Sequence, residues 1–270
     1  MGRLTPIIEP TFRTPRSNFI VKLVFLSWLI LLARTAETPI LRYNGNSTVL
    51  LAQSMLTLKT SKLTLADVQR HLHFQEKLED VSFTKLLALE TVSEAEKLEL
   101  VQIRNDFRPY LMEDKASEGQ VKVLTLFPLL RLAGFYRYPI KIRVEEGIDN
   151  IILVDEDKTI SGRFDIVTVN NSIATVNDIP FWILVIEAKE SGIEVRQGLP
   201  QLLTYAYNSL ERQPSVWGLA TNGLQYMFVY LRQETNPTYQ IMPELNLMYP
   251  ESAVNLLQIL KAMGQLILET

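Results

Sequence analysis

The chain has 270 residues, with 27 Lys and Arg, 30 Asp and Glu, two His and no Cys; 47% of it is apolar and 21% charged. That mixture belongs to a folded globular chain and excludes a disordered, collagen-like or coiled-coil one. Without cysteine there is no disulfide framework, thiolate zinc site, iron–sulfur cluster or thiol nucleophile, and the net charge of −3 requires any nucleic-acid contact to be local.

Residues 1–54 carry six basic and two acidic side chains, against 21 and 28 in the remainder, so the net charge runs from +4 to −7 across that point. A break this sharp marks a boundary. The apolar run from Leu23 to Ala33 is shorter than the roughly 20 residues a bilayer span needs. Arg34 sits close before a cut after Ala36, a poor exit for a signal peptide. The expectation is that translation starts at Met55, which makes the protein cytoplasmic with no stable membrane partner. The alternatives are a targeting segment or an anchor through residues 19–33.

From Met55 onward, Thr64 N-caps a predicted helix to about Leu72. On it, His71 and His73 are two apart and cannot clasp one metal. A helical pattern covers about 83–90. Ser93 with Glu96 forms a capping box that opens a helix to about Met112. Ser117 with Gln120 opens another over 118–132, interrupted at Pro128 and closed by Gly134. The period then changes to two. Strands are expected at 140–144, at 160–170 and at 181–188, the last apolar almost throughout and so central. An amphipathic helix over 199–210 precedes a strand at 216–221. Asn222-Gly223 is a hairpin signal into a strand at 224–231, and a helix over 252–268 closes the chain. The expected organisation is 1–54 upstream extension or anchor, 55–115 small helical region, 116–235 core, and 236–270 C-terminal segment and helix. The fold class is α/β, a mixed sheet flanked by helices.

The chemistry gathers in the strand block. Glu187 and Lys189 are two apart and share a face of the apolar strand. If that strand pairs with the preceding one, Asp165 reaches the same place. Two carboxylates about 4 Å apart repel by about 4 kcal/mol at an effective dielectric near 20, so they call for a proton, a cation or Lys189. Oxygen ligands without His or Cys select Mg²⁺ or Mn²⁺. Such an ion suits phosphodiester hydrolysis. Gln201 and Tyr205 add a Gln-x-x-x-Tyr spacing, one turn apart on the next helix. The bland alternative for the charged trio is a structural ion-pair network at a strand end.

Taken in order, Asp165, Glu187-Ala188-Lys189 and Gln201-x-x-x-Tyr205 resemble the signature of PD-(D/E)XK nucleases, in the branch with a Gln-x-x-x-Tyr motif. Residues 118–231 look most like the nuclease domain of type I restriction enzyme R subunits, through Leu132-Ala133-Gly134-Phe135, Gly162-Arg163-Phe164-Asp165, Ile186-Glu187-Ala188-Lys189 and Thr221-Asn222-Gly223. The resemblance implies a restriction-endonuclease-like fold and Mg²⁺-dependent cleavage of DNA. Asp165, Glu187 and the Ala188 carbonyl would hold the ion, with Glu118 as a further candidate ligand. Lys189 would orient water or stabilise charge, and Gln201, Tyr205 and Arg163 would contact DNA or steady the site. The proline of the family name is Phe164 here. There is no Gly-x-x-x-x-Gly-Lys-Ser/Thr, so the chain has no ATP site of that kind. Expected partners are DNA and other restriction or defence subunits. The rival reading is a non-catalytic nucleic-acid-binding or scaffold subunit of such a complex, which the −7 charge after Met55 favours.

Overall fold

A computed structural model describes residues 56–78, 82–153, 156–174 and 180–266. The upstream segment 1–54, with its apolar run at 19–33, lies outside them. Among the described residues no helix is long and apolar enough to cross a membrane.

The centre is a mixed sheet of strands β2 (Gln75–Glu76), β3 (Ile140–Val144), β6 (Ile166–Ala174), β7 (Pro180–Ala188), β8 (Ser215–Thr221), β9 (Gln225–Gln233), β10 (Pro237–Ile241) and β11 (Leu245–Asn246). Its order is β2-β10-β9-β8-β7-β6-β3, with β11 paired to β9. The neighbours β6 and β7 run antiparallel with Ile166 opposite Ile186, whereas β7 and β8 run parallel with Ala188 opposite Thr221. A helix must therefore carry the chain from β7 back to the start of β8. That helix is Leu199–Leu210.

Alternation along the strands sorts the core into two layers. Leu184, Ile186, Leu219 and Phe228 face the helices Glu94–Glu113, Phe127–Leu132 and Pro250–Gln265. Val185, Val167, Ala220 and Val229 face Leu199–Leu210 and Leu65–Leu72. Each such aliphatic residue contributes roughly 1.5–3 kcal/mol when fully buried. Glu187 and Asp165 share the parity of Val185 and Val167, so both carboxylates point to the Leu199–Leu210 side. The hairpin at Asn222-Gly223 forms as expected, with Gly223 at φ 84.

Several expectations need correction. The segment over 160–170 is two strands. One is β5 (Lys158–Ser161), in a separate small sheet with β1 (Leu56–Lys59) and β4 (Ile151–Leu153); the other is β6. Between them the chain leaves one sheet for the other, because Thr60 fills the space beside Gly162 and Phe164 turns inward against Trp182. The helix expected over 83–90 stops at Phe83–Leu86. Extended backbone at Leu87 sends Leu87 and Val92 into the core, and the Glu90 carbonyl accepts a bond from Gln258. The interruption near Pro128 is a π-helical stretch, Lys122–Leu126, between the helical turn Glu118–Val121 and Phe127–Leu132. The strands β1, β2, β4, β10 and β11 have runs too short or irregular to show a period of two.

Candidate active site

The site lies at the ends of the parallel pair β7 and β8, where the backbone leaves the sheet. The Lys189 amide still donates to the Thr221 carbonyl, at 2.8 Å, so Glu187, Ala188 and Lys189 are held in sheet geometry. Glu187 is 2% exposed. Gly198, just before the helix Leu199–Leu210, lies so close that a Cβ there would be 3.2 Å from Glu187 Cγ. One Glu187 oxygen accepts a hydrogen bond from Lys189 Nζ. The other, Oε2, is buried with no hydrogen-bond partner. Burial, and then the nearby Asp165 charge, push the Glu187 carboxyl up to about 8, against the opposing pull of Lys189.

Lys189 Nζ also donates to Gln201 Oε1, at 2.8 Å, and Gln201 Nε2 donates to the Tyr205 hydroxyl, at 3.1 Å. The two helix residues thus act in series: one holds the lysine and the next holds the amide. Tyr205 is buried and its hydroxyl lies 3.2 Å from Thr60 Oγ1. Burial, first, and the Glu187 charge push the Tyr205 phenol up to about 12.

On the other side, Asp165 is fixed through both oxygens. Oδ2 accepts the Ala188 amide at 2.7 Å, and Oδ1 accepts Lys122 Nζ at 2.8 Å. Lys122 also donates to Glu118 Oε1 at 2.7 Å and lies 3.9 Å from Glu145 Oε1. The helical turn that brings these residues is docked by its own backbone: Ala116 and Ser191 exchange two bonds of 2.9 Å. Lys115 pairs with Glu190 beside them. Hydrogen bonds to Asp165 and Glu118 raise the Lys122 ammonium above the ordinary lysine value in spite of its burial.

The structure therefore brings Asp165, Glu187, Ala188, Lys189, Gln201, Tyr205 and Glu118 to one place. Arg163 is not among them; its side chain is exposed and lies 3.7 Å from Glu145. Sequence reasoning missed Lys122 and Thr60. A signal existed for Lys122, a lone charge in the apolar run Val121–Leu126, four residues after Glu118. Thr60 carries none. His71, meanwhile, is buried and pairs with Glu156, at 2.6 Å.

Among the described residues no three or more His, Asp or Glu side chains form a group able to hold a metal by themselves. A divalent ion here would draw on two carboxylates and a backbone carbonyl. Two observations fit one: a buried carboxylate oxygen without a partner, and four carboxylates (Glu118, Glu145, Asp165, Glu187) around two ammonium groups among the described residues.

No family model matches the chain, and no curated protein matches it. Among solved structures it is similar to a fragment assigned as the HsdR subunit of a type I restriction enzyme from Vibrio vulnificus YJ016. The identity is 21% and the TM-score 0.33, over 53% of this chain and 26% of that one. The match thus spans about a quarter of that chain's length.

Proposed function

We propose that the chain hydrolyses DNA phosphodiester bonds with the help of a divalent ion, Mg²⁺ or Mn²⁺, in a restriction or defence setting. The observation that carries this reading is the buried, half-partnered Glu187 beside Asp165, with Lys189 held between Glu187 and Gln201. Asp165, Glu187 and the Ala188 carbonyl would hold the ion. When bound it would polarise a phosphoryl oxygen and lower the pKa of a water. The chain's own groups do the rest. The Lys189 ammonium stands ready to stabilise charge that develops on the phosphate or to orient the water. Gln201 keeps that ammonium pointed at the site, and Tyr205 keeps Gln201 in place. Asp165, clamped through both oxygens, needs little reorganisation.

Incubation of the purified chain with plasmid DNA and Mg²⁺ tests this reading. The expected result is nicked or linear product, lost on chelation and in Asp165→Asn. Absence of cutting by the unaltered protein would sink it.

A second reading, a non-catalytic nucleic-acid-binding or scaffold subunit, draws support from the −7 charge downstream of Met55 and from the internal pairing of both site lysines. Metal titration separates the two: a catalytic site binds Mn²⁺ and loses it in Glu187→Gln, whereas a scaffold shows no such binding.

A further inference from the structure

We propose that Lys122 stands where a second cation would otherwise be held, so that the site takes one divalent ion and not two. This rests on the nuclease reading above and adds the number of ions and the group that sets it.

Lys122 is nearly fully buried, and its Nζ sits between Glu118 Oε1 at 2.7 Å and Asp165 Oδ1 at 2.8 Å. An ion bridging those two carboxylates would need the space the ammonium fills. The lysine is placed there by the π-helical stretch Lys122–Leu126 that begins at it, a local irregularity often found at functional positions. Glu118, matched in the sequence as a candidate ligand, is thereby used as a partner for a side chain.

The two halves of the site differ in what they lack. Around Lys122 the carboxylates already have a tethered cation. Around Glu187, Oε2 is buried with no partner, so this half has an open position where a cation could be held. The charge balance agrees. With all groups ionised, Glu118, Glu145, Asp165 and Glu187 face Lys122 and Lys189, while Arg163 touches Glu145 from solvent. With Arg163 counted these groups sum to −1, so one divalent ion takes the pocket to +1 and two would take it to +3, a like-charge excess that opposes the second ion.

Calorimetric titration of the full chain with Mn²⁺, read in parallel by electron paramagnetic resonance, tests the inference. The expected stoichiometry is one ion per chain, with no spectral coupling between paired ions. Glu118→Gln removes a nearby attractive charge but no ligand, so Mn²⁺ affinity should fall by less than about tenfold. Lys122→Met should admit a second ion or bind the first about tenfold tighter, since a like charge has left the pocket. Two ions in the unaltered chain, a loss of more than about tenfold in affinity in Glu118→Gln, or one ion at unchanged affinity in Lys122→Met would each overturn it and leave the nuclease reading standing. No binding by the unaltered chain would overturn both. If Lys122→Met does not fold, the stoichiometry of the unaltered chain and Glu118→Gln decide.

Discussion

The two halves of the site reach the same point by different means. On one side, Glu187, Lys189, Gln201 and Tyr205 come from one strand and the helix that follows it, linked in a row: Lys189 to Glu187 and Gln201, and Gln201 to Tyr205. On the other, Asp165 sits between two sheets and is held by Lys122, which comes from a helical turn docked through Ala116 and Ser191. The members of the first half share two regular elements. In the second, a largely buried lysine and a backbone amide clamp one carboxylate. The comparison teaches that spacing along regular elements builds the Lys189 half, while long-range docking builds the Asp165 half.

The largest expected effect breaks the first half. Lys189→Ala, which removes an ammonium without touching Asp165, should lower plasmid cleavage by about 10²–10³-fold, the usual loss when a preorganised charge-stabilising donor is removed. Glu118→Gln, in the second half, should cost far less, because Lys122 keeps Asp165 as a partner. Single-turnover cleavage rates for the two variants at saturating Mg²⁺ give the contrast. Equal losses would show that the halves are not functionally distinct.

The same contrast decides what could be read before the fold was seen. Glu187 and Lys189 fall on one strand face by period two, and Gln201 and Tyr205 on one helix face by period four, so their juxtaposition follows from local geometry. Asp165 needed one further step, the antiparallel pairing of β6 with β7, and that pairing is observed. The expected strand over 160–170 failed because Gly162 has to accommodate Thr60, a residue over a hundred positions earlier. No window of sequence holds that contact. Lys122 was legible as an odd charge in an apolar helix, but its pairing with Asp165 depends on how that turn docks. The small sheet of β1, β4 and β5 was illegible for the same reason: its strands are short, and their hydrophobic pattern depends on what lies over them.

A pH titration sharpens the comparison within the carboxylates. Glu187 keeps its proton in the folded, metal-free chain up to about pH 8, whereas the unfolded chain releases it near the ordinary value of 4.5. Its contribution to stability is thus full below that lower value, falls as pH rises through the window, and is gone above about 8. Thermal unfolding in chelator should show a melting temperature that declines across this range. Glu187→Gln should flatten the decline. An equal decline in that variant would assign it to other groups.

The junction between the halves is open to a smaller perturbation. A Cβ at Gly162 would lie 2.2 Å from Thr60 Oγ1, too close for any real contact, so Gly162→Ala must displace Thr60 and strain the link that leads to Asp165. The expected cost is about 1–3 kcal/mol of stability, read by urea unfolding. Because Thr60 also touches the Tyr205 hydroxyl, the displacement should reach the Lys189 half and, on the nuclease reading, show as a modest loss of cleavage.

Tyr205→Phe carries the smallest expected effect and distinguishes bracing from chemistry. The change removes one hydroxyl that lies between Gln201 and Thr60 and keeps the ring in its buried place, so stability should fall by about 0.5–1.5 kcal/mol. If the hydroxyl only braces Gln201, the cleavage rate falls by less than about tenfold and its pH profile keeps its shape, because Gln201 can still bond Lys189. If instead the phenol takes part in proton transfer, the rate falls as far as in Lys189→Ala and the alkaline limb of the profile moves. The phenol is held near 12 by burial and by Glu187, too far above neutrality for an efficient general acid or base, so the outcome expected on physical grounds is the first.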